Sequence, residues 1–427
     1  MKIAFFEDEY FENFLPLTYT RPTYDLRCGT SKLYEKIVGL FPSVEYVFFT
    51  RDYLAPIYAE QGVPTNKLES LDDDILLING SLLASSNLKG TIESSLGKNT
   101  LAFQKERLAF AYLKSDLVKE VGELFLEPID KKSIKKLKSK AESKEVSDLK
   151  LLEYTWELVN NNAEKIKEEF SSIAKGDSQG EVDSKATIYG DPKNLYVAKG
   201  AFVEAGVVID VRNGPVYIGE NTYVQTLSRI DGPSYIGKDN IIFGAQIREG
   251  CSFGAVCRIG GEVEETIVQG YSNKRHLGFI GHSYLGEWVN LGAGTTNSDL
   301  KNTYGTVKVT VRGEKVGAGQ FVGTVIGDHS KTSIGAMILT GKKVGVSSQV
   351  IAYATEDVPS FTMWAKSLGA KPTEIFLDSA VETARRMMAR RKVNMTKDYE
   401  NMLRKVYDLT KQERKEAKVK KGKFKLE

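Results

Sequence analysis

Side chains able to do chemistry are few in this 427-residue sequence. It has three histidines, His276, His282 and His329. An imidazole, with an ordinary pKa near 6.5, can take up a proton at neutral pH and so suits general-base work. Three scattered histidines do not suggest a His-rich metal site. The three cysteines, Cys28, Cys251 and Cys257, form neither a disulfide framework nor a C-x-x-C pair, so a reduced, intracellular protein is expected. Gly335 to Gly341-Lys342 imitates a phosphate loop, but its spacing is one residue too long and no Ser or Thr follows Lys342. No G-x-S-x-G elbow or H-E-x-x-H pair occurs.

Something must position these residues, and the glycines show where. Of 38, 27 lie in residues 186–355. There an apolar residue recurs every six positions: Ile218, Val224, Ile230, Ile236 and Ile242, then Ile247, Phe253 and Ile259 after one five-residue step. Val197, Val203 and Ile209 keep the same step upstream, and Leu285-Gly286, Leu291-Gly292, Val316-Gly317 and Val322-Gly323 resume it downstream. Six is too long for strand alternation and wrong for a helix. It suits a β-solenoid of short strands and corners, with the apolar residue inside, glycine easing the turn, and stacked coils sharing one core.

Around the repeat the pattern changes. Lys2–Phe6, Tyr46–Thr50 and Ile75–Asn79 read as strands, and Leu33–Leu40 and Ala102–Leu113 as helices, which together predict an α/β layer. Residues 130–148 read as a solvated helix or loop, Trp156, Val159, Ala163, Ile166 and Phe170 as one helical face, and Gly176–Gly180 as a linker. Beyond Val358 helices are expected, with Tyr399, Met402, Leu403 and Val406 on one face. The net charge of +3 hides a division: residues 385–427 hold 16 Lys/Arg and 6 Asp/Glu, or +10, and the remainder 43 against 50, or −7. Without interleaved aromatics this basic tail reads as a packed helix and not a nucleic-acid surface, with Lys418–Glu427 fraying. No apolar run of about 18 residues predicts a membrane span, and no signal peptide is expected.

The hexads resemble those of the left-handed β-helix acyltransferases. With the preceding α/β domain, the chain resembles the bifunctional UDP-N-acetylglucosamine diphosphorylase/glucosamine-1-phosphate N-acetyltransferases, and most of all their sugar nucleotidyltransferase-like relatives. The resemblance rests on Leu15-Pro16-Leu17-Thr18-Tyr19-Thr20-Arg21-Pro22, Gly261-Glu262-Val263-Glu264, Gly270-Tyr271-Ser272-Asn273-Lys274-Arg275-His276 and Gly292-Ala293-Gly294-Thr295. It implies a Rossmann-like nucleotidyltransferase domain over 1–175, a left-handed parallel β-helix over 183–356 and a basic helical region over 357–427.

The same resemblance implies roles. His276 would be the general base that takes a proton from a sugar amine attacking a thioester, with Glu262 orienting it or holding the amine. Arg248, Asn290 and Lys274 would bind the sugar phosphate, and Gly292, Ala293, Gly294 and Thr295 would line the acyl-CoA groove. Where the family motif has lysine and tyrosine, this sequence has Glu264 and Phe279, which bears on the sugar or acyl group more than on the reaction. His282 and His329 read as structural or supporting, with His329 at a corner that could face a neighbouring subunit.

In the first domain the family's glycine-rich loop is replaced by Glu7–Phe14, with no glycine and four carboxylates. These would repel a triphosphate unless Mg²⁺ intervened. Arg21, Arg27, Lys32, Asn79 and Gly80 are the expected nucleotide contacts. Ser81 stands where the family often has a metal-binding Asp; Asp8 and Asp74 are the candidate substitutes, so the metal ligands are unassigned. The implied function is nucleotide-sugar synthesis: acetyl-CoA-dependent N-acetylation of an amino-sugar 1-phosphate, and Mg²⁺-assisted nucleotidyl transfer from NTP to a sugar 1-phosphate, in a cytoplasmic homotrimer. Two narrower readings stay open: a nucleotidyltransferase whose solenoid only trimerises or regulates, and an acetyltransferase with a degenerate first domain.

Overall fold

The computed structural model describes residues 1–68 and 73–425; residues 69–72 and the last two of the tail, Leu426 and Glu427, lie outside the described residues. Its contacts divide into two units. One holds Met1–Leu26, Ser31–Tyr154 and Lys397–Met402; the other holds Arg27–Thr30, Thr155–Thr396 and Leu403–Glu427.

The first unit is built on a six-stranded sheet in the order Tyr46–Phe48, Lys2–Phe6, Ile75–Asn79, Arg107–Leu113, Thr100–Gln104, Glu142–Glu145. Lys2–Phe6 pairs in parallel with both neighbours. Ile75–Asn79 is buried at every position, as a strand covered on both faces must be. The helix Leu33–Leu40 forms as expected. The helix expected at Ala102–Leu113 does not: Thr100–Gln104 and Arg107–Leu113 are antiparallel strands. Lys105 turns the chain between them at φ 55°. All seven residues of Arg107–Leu113 are buried, so no polar face marks the two-residue period. The 130–148 stretch divides into a helix, Lys131–Lys138, and the edge strand Glu142–Glu145.

The second unit is a parallel β-solenoid, with the helices Thr155–Asn160 and Asn162–Ile173 ahead of it. Its strands stack in three ladders. One carries Val182, Val203, Val224, Ile242 and Ile259 inward in register. The second carries Ile209, Ile230, Ile247, Val263 and Ile280. The third carries Val197, Ile218, Ile236, Phe253, Val268 and Leu285. These residues form one continuous core. Burying a Val, Ile or Leu stabilises by about 1.5–3 kcal/mol. Coil pairing runs on to Thr362–Trp364, beyond the expected end at 356. The C-terminal helices are Leu377–Ala389, Lys397–Leu409 and Lys411–Glu416.

The glycines that follow the inward residues have another cause than the expected one. A Cβ on Gly254 would lie 1.9 Å from the carbonyl oxygen of Gln269, and one on Gly260 1.8 Å from that of Arg275, both in the next coil. Close stacking, not a left-handed φ, excludes a side chain there. Several left-handed corners are instead taken by larger residues. Tyr271, Trp288 and His329, at φ 52°, 61° and 59°, stack as a corner column. His329 is a corner residue as expected, but its ring is buried within the chain and does not face outward.

Candidate active sites

One outer solenoid face carries alternating charges. Arg229 joins Asp210 (3.0 Å) to Asp231 (2.8 Å), and Arg248 joins Asp231 (3.7 Å) to Glu262 (3.2 Å). Hydrogen bonds from Arg212 hold the Asp210 carboxyl well below the usual carboxylate range. Gln246 pairs with Glu262 and Glu262 with Phe279, so consecutive coils supply these side chains, about 4.8 Å apart. Arg248, expected to grip the sugar phosphate, and Glu262, expected to orient His276 or hold the amine, are in contact, and both stay about two-fifths exposed. At half exposure such a pair adds little stability, so it remains available to a ligand.

The register carries the face onward, because Glu264 pairs with Gly281 and His282 follows. Here the chain forms a site that sequence reading missed. His282 Nδ1 lies 2.8 Å from Asp299 Oδ2, and its ring stacks on Phe321 at 5.1 Å. A carboxylate only accepts, so Nδ1 carries a proton and donates it to Asp299. The segment between Asn297 and Val325, which includes the hairpin Lys308–Val311/Glu314–Gly317, brings in both Asp299 and Phe321. Burial pushes the Glu264 and Glu265 carboxyls up. The signal was present: 17 residues separate His282 from Asp299, the same separation as Asn273 and Asn290, which sit one coil apart.

His276 lies on an exposed corner between two ladders. Lys274, expected to meet a sugar phosphate, points inward. It takes the place after Ile259 in the first core ladder, with Nζ donating to the carbonyls of Gly260 (2.7 Å) and His276 (2.5 Å). Burial pushes it down to about 8. Asn290 is on the outer surface of that ladder, accepting from Asn273 Nδ2 at 3.1 Å. In the expected acyl-CoA segment, Gly292 is required by stacking: its Cβ would fall 2.5 Å from the Ser333 carbonyl oxygen. The Thr295 hydroxyl is buried against Thr332 at 2.6 Å. Ala293 and Gly294 form the adjoining corner, and Gly294 N–H donates to the carbonyl of Leu277, the residue after His276.

In the first unit, polar residues gather where the parallel strands end, the usual ligand edge of such sheets. Glu7 and Asp8 follow Lys2–Phe6, Arg51 follows Tyr46–Phe48, and Asn79 ends Ile75–Asn79. Arg51 Nε binds Glu7 at 2.9 Å and its two terminal nitrogens donate to the Thr18 and Arg21 carbonyls. Arg107 binds Asp8 at 2.9 Å and donates to Ser81 Oγ at 2.7 Å. Asn79 Nδ2 donates to Asp8 at 2.9 Å, and Ser81 donates to Asn79 Oδ1. Phe11 and Tyr10 lie over the two guanidiniums. Sequence reading missed Arg51 and Arg107, although Arg51 directly follows an expected strand.

The expected phosphate-binding cations are engaged internally. Arg21 lies 3.8 Å from Asp25 and Lys32 2.7 Å from the same carboxylate. Arg27 groups with the solenoid unit and donates to the Thr30 carbonyl. A Cβ on Gly80 would meet the Tyr24 ring at 2.8 Å. For Mg²⁺, Asp74 is excluded as a partner of Asn79: it binds Lys114 just before the opposite end of the strand, roughly 16 Å away at about 3.3 Å per residue. Glu7 and Asp8 each face a guanidinium, and among the described residues no three His, Cys, Asp or Glu side chains form a metal-holding group. The carboxylates do not fit a preformed metal site.

Residues 3–178 match the family model described as sugar nucleotidyl transferase. A bifunctional sugar-1-phosphate nucleotidylyltransferase/acetyltransferase of Sulfurisphaera tokodaii is 37% identical over 90 residues, covering 21% of this chain and 22% of that protein. Bifunctional proteins GlmU are 33% identical over 89 residues in Methanococcus aeolicus (21% and 22%) and 32% identical over 146 residues in Synechococcus elongatus (33% and 28%). The matched stretches span about a quarter of these relatives' length. A solved Francisella novicida UDP-N-acetylglucosamine acyltransferase aligns over 57% of this chain and 87% of its own, at 18% identity and a TM-score of 0.30. Among the described residues no helix is long and apolar enough to cross a membrane.

Proposed function

We propose that this chain is a two-part transferase of nucleotide-sugar synthesis, with the sugar nucleotidyl transferase-like unit and the solenoid each carrying one reaction. On the solenoid, an amino-sugar 1-phosphate would bind along the Arg248–Glu262 strip, its phosphate on the Arg248 guanidinium. Its amine would attack the thioester carbonyl of acetyl-CoA. The new C–N bond forms, the C–S bond breaks, CoA leaves as thiolate, and an imidazole takes the amine proton. In the first unit, a sugar 1-phosphate would attack a nucleoside triphosphate with release of pyrophosphate. The observation that carries the acyl-transfer reading is the half-exposed Arg248–Glu262 pair, one coil from the histidine-bearing coil.

The resemblance assigns the base to His276. A second reading is favoured by one observation: His282 is the imidazole that a carboxylate orients. Exposed Leu277, Ile334, Met337, Leu339 and Tyr353 lie on the solenoid around the Gly292–Thr295 corner and favour a homotrimer that covers them and brings a neighbour's surface to the site. A cytoplasmic setting follows from the substrates. The test is the full chain with acetyl-CoA and glucosamine 1-phosphate, read as free thiol, beside NTP and N-acetylglucosamine 1-phosphate, read as pyrophosphate. Release of both products is expected; absence of thiol release overturns the acetyl-transfer reading, and absence of pyrophosphate the nucleotidyl-transfer reading.

A further inference from the structure

A cavity of about 260 Å³ lies within the solenoid unit, between the outer surface of the first ladder and the end of the helix Leu377–Ala389. Its lining includes four cations, Lys331, Arg386, Arg390 and Arg391, and no carboxylate. The nearby Glu382 is already taken by Arg385 and Arg386. Burial, and then repulsion from a fifth cation, Arg258, push the Arg391 guanidinium down. Like charges gathered in a recess are costly unless an anion joins them.

Apart from the Thr383 hydroxyl, whose hydrogen goes to the Ser379 carbonyl, the side-chain hydrogen bonds turn donors toward that space. Arg391 donates to Asn273 Oδ1 at 2.6 Å. A guanidinium cannot accept, so this contact fixes the Asn273 amide, whose Nδ2 then donates to Asn290 Oδ1 at 3.1 Å. Asn290 is left with its own Nδ2 as a donor. Arg391 Nε is buried without a hydrogen-bond partner. Lys331, whose Nζ donates to the His329 carbonyl, is pushed down to about 8 by burial, a cost an anion would relieve.

We propose that this recess is a binding site for a phosphate monoester, held by Lys331, Arg390 and Arg391 with Asn290 as an added donor. Fork-shaped guanidiniums match phosphate oxygens, and several of them favour a dianion over a carboxylate. The volume is below the roughly 300–1,000 Å³ of pockets that enclose a drug-sized ligand. The recess therefore receives the phosphate end of a ligand whose remainder extends outward. Two sources share this chemistry: the 3′-phosphate of CoA and the phosphate of a sugar 1-phosphate. The site does not depend on which imidazole acts as base, or on acetyl transfer occurring.

The test is binding, not turnover. Inorganic phosphate is titrated calorimetrically into the full chain at low ionic strength, and into Arg391→Gln, Lys331→Met and the rim variant Arg386→Gln, each checked for an unchanged circular dichroism spectrum. The expected result is saturable binding that weakens at least tenfold in Arg391→Gln or Lys331→Met and about two- to threefold in Arg386→Gln. If a core variant fails to fold, Arg390→Gln takes its place with the same expected tenfold loss. Displacement of phosphate by CoA but not by dephospho-CoA assigns the site to CoA; displacement by glucosamine 1-phosphate but not by glucosamine assigns it to the sugar. No saturable binding, equal binding in the core variants, or phosphate that neither ester displaces overturns the proposal.

Discussion

His282 Nδ1 and Asp299 Oδ2 are 2.8 Å apart, although the chain between them has closed a full coil of the solenoid. The contact fixes both the tautomer and the ring plane, and Phe321 braces the ring from one side. His276, in contrast, sits on an exposed corner. If His282 is the base, His282→Ala lowers kcat for thiol release by roughly 10²–10⁴-fold, Asp299→Asn lowers it less, and His276→Ala changes it little. If His276 is the base, the order reverses. Steady-state kinetics on the three variants decides between them.

Arg248 is held at 3.2 Å by Glu262 and at 3.7 Å by Asp231. A phosphate-gripping role predicts that Arg248→Gln raises KM for the amino-sugar 1-phosphate by about ten- to a hundredfold, the value of one charged hydrogen bond, while KM for acetyl-CoA stays within twofold. Measuring both constants separates this from a structural effect, which would also lower the melting temperature.

The solenoid was legible because its core residues recur in sequence at the six-residue period of its faces, three to a coil: Ile218, Ile230 and Ile242 needed no partner chain to reveal their phase. Arg248 and Glu262 were singled out by the family resemblance alone, and their contact across adjacent coils emerges only in the fold. Arg107 was not, because its partner Asp8 is 99 residues away and only strand order brings them together. Arg107–Leu113 hid its two-residue period by being buried on both faces. Lys274, offered by the resemblance as a sugar-phosphate contact, takes the place of an apolar core residue, and a polar side chain at such a position leaves no mark in the hydrophobic phase.

The stacking argument for glycine separates two substitutions. Gly254→Ala puts a Cβ 1.9 Å from the Gln269 carbonyl oxygen, a backbone atom that cannot step aside. It is expected to destabilise the solenoid by about 1–3 kcal/mol or more. Gly39, in the helix Leu33–Leu40, meets nothing within 4 Å. Gly39→Ala is expected to stabilise the first unit by about 0.5–1 kcal/mol. Denaturant unfolding of both variants checks the opposite signs.

Lys274 makes a pH prediction. Burial lowers its folded pKa to about 8, below the unfolded value. Below pH 8 both states are charged and the folded state carries the full desolvation cost, roughly 3 kcal/mol at 1.36 kcal/mol per unit. Between about pH 8 and 10.5 the folded lysine is neutral while the unfolded one still holds its proton, so stability rises with pH. Relative to Lys274→Met, the wild-type chain should gain stability between pH 7.5 and 9.5. A flat difference between the two unfolding curves would show that the amine is solvated.

The Asp8–Arg107 pair tests the first unit. It lies at the ends of parallel strands, with Asn79 and Ser81 bound to the same two side chains. If this network holds the reacting phosphates, Asp8→Asn abolishes pyrophosphate release and leaves thiol release intact, because the solenoid's charged strip belongs to a separate unit. If the network is purely structural, Asp8→Asn instead lowers stability. Arg107, only 8% exposed, would then face a partner without charge, and breaking a buried pair costs about 3–5 kcal/mol. Pyrophosphate release and denaturant midpoint, measured on the same preparation, distinguish the two. Loss of activity at an unchanged midpoint places Asp8 in catalysis. A lowered midpoint, with activity retained below it, makes the network a brace for the sheet edge.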